Sequence, residues 1–184
     1  MGKIPTRDEA LVLFKAYNES ESLKQHAFAV EAVMRHFAAL YGEDADYWGM
    51  VGLLHDLDYE KYPDEHCTKV VEILRENDID GKIIHAVASH GYGLCSDVKP
   101  EHTMEKVLYA TDELTGLITA CALMRPSKST LDLEYKSVWK KYKTASFAAG
   151  VDRSVIENGC EMLGRDLKNI IEETILAMRK LEQP

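Results

Sequence analysis

Met50-Val51-Gly52-Leu53-Leu54-His55-Asp56-Leu57-Asp58-Tyr59 runs an apolar segment straight into a histidine and an aspartate. The segment reads as the inner end of a helix spanning roughly Asp44 to Asp56, with Trp48, Val51, Leu54 and His55 turned inward. A carboxylate at such a place is costly to bury unless something pairs it. A divalent cation is such a partner, because imidazole and carboxylate are good ligands for transition metals. Outward from this stretch, two more residues have the same character. Upstream, His26 sits on a stripe otherwise made of Val30, Val33, Phe37 and Leu40, the three-four spacing of one helix face. Downstream, Asp112 falls mid-helix in Tyr109-Ala110-Thr111-Asp112-Glu113-Leu114.

Helical periodicity extends along the whole chain. The pattern predicts helices over about Arg7–Tyr17, from a Ser20 or Ser22 cap to Gly42, and over Asp44–Asp56. Further helices are expected over Asp64–Asn77, Gly81–His90 and Thr103–Met124, with a loop and short helix after Pro126. Two closing helices are expected over Asp152–Leu163 and Leu167–Leu181. No window alternates in the manner of a strand, so the fold class is all-α. At 184 residues and 46% hydrophobic, the chain suits a single domain over 1–184.

The formal net charge of −9 argues against general nucleic-acid binding, which draws on Lys and Arg. Residues 125–143 break the pattern with six basic and two acidic side chains, which leaves −13 for the rest. Lys136, Lys140 and Lys143 lie near one helical face there, a candidate phosphate-recognition patch weighed against a merely solvated face. Cys67, Cys95, Cys121 and Cys160 are widely spaced without a CxxC pair, and are expected to be reduced and buried. No apolar run reaches the length of a membrane span, and no signal-peptide core is visible, so the expected location is cytoplasmic.

His26, then the adjacent His55-Asp56, then a distant Asp112 on successive helices resembles the HD superfamily of metal-dependent phosphohydrolases. The matching stretches are Gln25–Val30, Leu53–Asp58 and Val107–Asp112, within about Leu23 to Leu117. The chain beyond Leu117 is similar to the tails of short stand-alone bacterial members. The resemblance implies a helical bundle with a metal-binding core over about 20–120, and a basic loop and closing helices over 125–184. It implies that His26, His55, Asp56 and Asp112 are metal ligands, with Asp56 and His55 at the catalytic step. It also implies one or two divalent ions (Mn, Fe, Zn, Ni, Co or Mg) and a water of lowered pKa attacking phosphorus. Asp56 would bridge if two ions bind.

Some members add two histidines from the helices in between, and His66 and His90 are the matching candidates. His85 competes with His90, but five residues is about 500° of helical turn, so only one of them faces the metal. His90 shares a face with Ile83 and Val87 and is preferred. His36 and His102 are expected in solvent. Many members follow the His-Asp pair with Ile-Gly-Lys, whereas this chain has Leu57-Asp58-Tyr59, with Lys61 the nearest basic group. Lys61, Lys136, Lys140 and Lys143 are therefore the substrate-binding candidates. The expected partner is a small phosphorylated substrate, with no membrane partner; a homodimer is allowed. Two other readings stay open: a dinuclear-iron oxygenase and a non-catalytic nucleotide-sensing module.

Overall fold

Thr6 begins the first helix with a capping box: its hydroxyl accepts from Glu9 N, and the Glu9 carboxylate accepts from Thr6 N. In the computed structural model, which describes residues 2–183, similar signals mark most helix starts. The helices are α1 Arg7–Tyr17, α2 Glu21–Tyr41, α3 Ala45–Leu54, α4 Lys69–Glu76, α5 Gly81–Ser89, α6 Thr103–Leu123, α7 Tyr135–Tyr142, α8 Arg153–Leu163 and α9 Leu167–Glu182. Asp44, Asp80 and Asp152 cap α3, α5 and α8. Gly42 and Gly164 end α2 and α8 in the left-handed conformation, at φ 72° and 61°. Among the described residues there are isolated bridges, Lys3 with Ile79 and Tyr92 with Ser96, and no strand. The fold is all-α.

A short turn through Gly42 folds α3 back on α2, and α6 runs through the middle of the molecule. Phe14, Val30, Phe37, Leu53, Leu108, Leu114, Ile118, Ile156 and Ile171 belong to one apolar cluster shared by α1, α2, α3, α6, α8 and α9. A buried carboxylate pins the first three helices. Glu31 on α2 accepts from Arg7 Nε at 2.6 Å and Nη2 at 2.9 Å, and from Arg35 Nε at 3.1 Å. Arg35 also reaches Asp46 on α3 at 2.6 Å.

Several expectations are corrected. The fourth helix starts at Lys69 rather than Asp64, because a short 3-10 turn over Pro63–Glu65 and a left-handed Cys67 (φ 68°) occupy the intervening chain. Ser20 stands at the N-cap of α2 without a side-chain cap bond; the Glu60 carboxylate accepts from Glu19 N and Ser20 N instead. Leu40, at the end of the α2 stripe, is exposed. The four cysteines are not all free: Cys67 and Cys95 are disulfide-bonded, while Cys121 and Cys160 are buried and free.

Close helix approach is visible at Gly159, where α8 meets α6. A Cβ there would stand 2.6 Å from Ala110 Cα and 2.9 Å from its amide nitrogen. Backbone cannot yield as a flexible side chain can. Gly159→Ala is therefore expected to destabilise the fold by about 1–3 kcal/mol of overpacking strain, although alanine is the better helix former. A lower urea midpoint at unchanged slope would report it; an equal or higher midpoint would contradict the close approach.

Candidate metal centre

Five structural elements deliver six side chains to one point. His26 comes from α2, His55 and Asp56 from the chain just past α3, and Asp112 from the middle of α6. His66 follows the 3-10 turn and His90 follows α5. They face a cleft of about 430 Å³ lined by His26, Asp56, His66, His90 and Asp112, with His55 behind them and fully buried.

Distances divide the cluster in two. On one side, His26 Nε2 is 2.9 Å from Asp112 Oδ1, and His55 Nε2 is 3.3 Å from both Asp112 Oδ1 and Asp56 Oδ2. His26 Nε2 is 3.7 Å from the same Asp56 Oδ2. On the other side, His66 Nε2 and His90 Nε2 are each 3.5 Å from Asp56 Oδ1 and 3.2 Å from one another. Each carboxylate oxygen of Asp56 thus faces its own pair of imidazoles.

The outer ring nitrogens explain which way these imidazoles point. His55 Nδ1 donates to the Gly52 carbonyl at 2.6 Å, and His90 Nδ1 to the Val87 carbonyl at 2.5 Å. His66 Nδ1 donates to Asp58 Oδ1 at 2.7 Å. A carbonyl only accepts, so a proton sits on Nδ1 of His55 and His90, and in the neutral form of each ring the Nε2 lone pair is directed inward. His55 Nε2 is buried with no hydrogen-bond partner. An orphaned buried acceptor costs about 1–3 kcal/mol. A divalent cation removes that cost, since the lone pairs and carboxylate oxygens already converge. Backbone carbonyls and carboxylates that orient the far nitrogen are also the usual support of metal-ligating histidines. The donor set fits a divalent transition metal.

The electrostatics favour positive charge at the same point. Burial alone would lower the His55 pKa, but the Asp56 and Asp112 carboxylates outweigh it and hold it well above its ordinary value. Burial would raise Asp56 and Asp112, yet His55 and its neighbouring histidines hold both well below the carboxylate range. Glu113, which also lines the cleft, is pushed up to about 7 by burial and by the Asp112 charge.

Sequence-expected residues fall into two groups. The structure brings His26, His55, Asp56, His66, His90 and Asp112 together. It does not bring the lysines to the cleft. Lys61 Nζ donates to the Ala16 carbonyl at 2.6 Å and lies over the Tyr17 ring. Lys136 and Lys140 are exposed on α7, and Lys143 stacks over Trp139. Among the described residues no lysine or arginine lines the cleft. Amphipathic α7 packs its apolar side, Val138 and Tyr142, so its lysines are left facing outward. His85 points away to Glu105 at 2.7 Å. His102 is exposed and caps α6 through Met104 N. His36, expected in solvent, is instead largely covered and held between Glu173 and Lys180.

Three features escape a reading of the sequence. Asp58 is fully buried, accepting from His66 Nδ1 and from Val70 N at 2.8 Å. Its signal was its place beside Leu57 in an otherwise inward stretch. Gly150, Val151 and Val155 bring the C-terminal part of the chain to the cleft as an apolar wall. The third is Glu113, next to Asp112 on the same turn of α6.

Asp58→Asn retains the size of the side chain but replaces one acceptor with a donor. Either the His66 ring or the Val70 amide then faces N–H against N–H. Metal binding on the His66 and His90 side is expected to weaken by about 10–100-fold, read by calorimetric titration of the metal-depleted protein. Unchanged affinity would deny Asp58 a part in orienting His66.

The HD domain family matches residues 23–117. A tRNA (cytidine(56)-2'-O)-methyltransferase of Picrophilus torridus is 25% identical over 185 aligned positions, covering 92% of this chain and 51% of that protein. The chain therefore spans about half the length of this curated relative. No solved structure matches the chain. Since the family match covers more than half of the chain and includes all six converging side chains, the chain belongs to the HD domain family.

Proposed function

We propose that this chain is a metal-dependent phosphohydrolase that acts on a small phosphomonoester or nucleotide-type substrate through two ions sharing Asp56. The observation that carries the reading is the division of Asp56: one oxygen faces His26 and His55, the other His66 and His90. That arrangement suits a bridging carboxylate in a two-ion site, with His26, His55 and Asp112 on one side and His66 and His90 on the other. When bound, divalent ions supply a water of lowered pKa and draw charge from a phosphoryl oxygen.

The chain's own residues do the rest. Asp58, Gly52 and Val87 hold three imidazoles with their lone pairs inward. Glu113 places a carboxyl on the cleft wall beside Asp112, where it is positioned to take and return a proton. Leu94, Val151 and Val155 exclude water and accept the uncharged part of a substrate. A cleft of about 430 Å³ takes a small molecule rather than a polymer. With no lysine or arginine among its described lining residues, the cleft would leave the phosphoryl charge to ions held by His26, His55, Asp56, His66, His90 and Asp112. Methyl transfer to tRNA is not carried over: the chain matches half of that relative, and its charge of −9 disfavours RNA.

The same absence of basic groups favours a second reading, a dinuclear-iron oxygenase with an uncharged substrate. Purified protein loaded separately with Mn, Fe, Zn, Ni, Co and Mg, then screened against nucleotides and sugar phosphates, separates the two. Phosphate release with at least one metal supports hydrolysis. Its absence throughout, with a mixed-valent iron signal, would replace that reading with oxidation. Asp56→Ala is expected to abolish activity and binding of both ions. His66→Ala or His90→Ala should lower the stoichiometry from two ions to one. If the wild type binds one ion and neither histidine substitution changes it, the two-ion proposal is wrong.

A further inference from the structure

Cys67 follows His66 directly, and Cys95 lies four residues after Gly91, itself next to His90. The disulfide between them therefore joins the two segments that carry the second pair of imidazoles. Cys67 is buried, but Cys95 is exposed and lines the cleft beside Asp56, His66 and His90. One sulfur is thus sheltered and the other open to a reductant.

Three observations tie the pair to the metal centre. First, ligand atoms of His66, Cys67 and His90 lie within 4.8 Å of one another, close enough to share one ion. Second, Cys67 holds a left-handed backbone at φ 68°, a conformation uncommon for a non-glycine residue. The turn lets two consecutive residues direct ligand atoms to one place. Third, Gly91 leaves room for the sulfurs: a Cβ there would overlap both Cys95 Sγ and Cys67 Sγ. The other two cysteines, Cys121 and Cys160, are buried in the core and unpaired.

We propose that Cys67 and Cys95 form a redox-active pair that edits the metal centre: joined, they leave the His66 and His90 side with nitrogen and oxygen donors alone; separated, Cys67 becomes a thiolate ligand beside His66 and His90 and draws a soft cation such as zinc. The inference rests on the two-ion reading above. Reduction by a dithiol breaks the S–S bond and yields two cysteine thiols, while the reductant gives up two electrons and two protons and closes its own disulfide. When a cation binds, the Cys67 thiol releases its proton to solvent as the sulfur–metal bond forms. Thiolate favours zinc over harder ions, so the thiol state decides which metal that side retains. A purely structural staple makes no such demand on the metal.

Cobalt(II) is the probe. Full-length protein is metal-depleted and divided into an air-oxidised half and a half reduced with dithiothreitol and desalted under nitrogen. Thiol titration in denaturant should find two thiols before reduction and four after. Cobalt added to the reduced protein should develop sulfur-to-cobalt charge-transfer absorption that the oxidised protein lacks. Cys67→Ser should lose that band and keep the ligand-field absorption of the histidine and aspartate donors. Cys95→Ser leaves Cys67 permanently free and should show the band without reductant, which keeps the test independent of how well Cys67→Ser folds. Four thiols before reduction would overturn the redox pair. Cobalt bound to reduced protein without the band would overturn the ligand role of Cys67 alone. No cobalt bound in either state would overturn this inference together with the metal reading beneath it.

Discussion

The Asp56 carboxylate is held at the base of a cleft by imidazoles on both of its oxygens. Much of the fold makes sense as a means of keeping it there. Two part-buried carboxylates, Asp56 and Asp112, repel one another unless positive charge lies between them. Without a cation, the two carboxylates draw a second proton onto His55, which supplies some of that charge. A divalent cation would take the place of that proton, at the inward nitrogen of His55, which has no hydrogen-bond partner of its own. The centre is thus electrostatically incomplete as a set of side chains alone.

Rigidity of the converging side chains comes from backbone as much as from other side chains. His55 and His90 each turn back to donate to the carbonyl three residues earlier, at the end of α3 and α5. Those carbonyls belong to the last helical turn, where acceptors are left without intrahelical partners. His55 and His90, proposed above as ligands, are therefore also helix-end partners, and the helix ends fix their rings. His66 lacks such a helix end, and buried Asp58 takes the place of the carbonyl. Glu60 accepts from the amides at the start of α2, so the loop after Asp56 is tied to the helix that bears His26.

Most of the fold was legible in the sequence, because amphipathic helices with capping residues at their ends declare both their extent and their buried face. The exceptions have local causes. Asp64 to Thr68 has helical composition, but the backbone there serves His66 and Cys67 rather than a helix. At the site, His26, His55, Asp56 and Asp112 stood out because polar groups on apolar faces need a reason. The lysines after Pro126 stood out equally, yet charge along a chain says nothing about direction, and α7 turns them away from the cleft. The Cys67–Cys95 pairing was not legible, since two cysteines 28 residues apart meet only through the packing of α4 against α5. His36 shows the same limit: its partners Glu173 and Lys180 lie on α9, far along the chain.

Anomalous diffraction at the zinc edge from crystals grown with zinc tests the proposed sharing of Asp56 most directly. The account predicts two peaks, one against His26, His55 and Asp112 and one against His66 and His90. Both should contact Asp56, at ligand distances of about 2.0–2.2 Å. A single peak, or two peaks of which one makes no contact with Asp56, would contradict it.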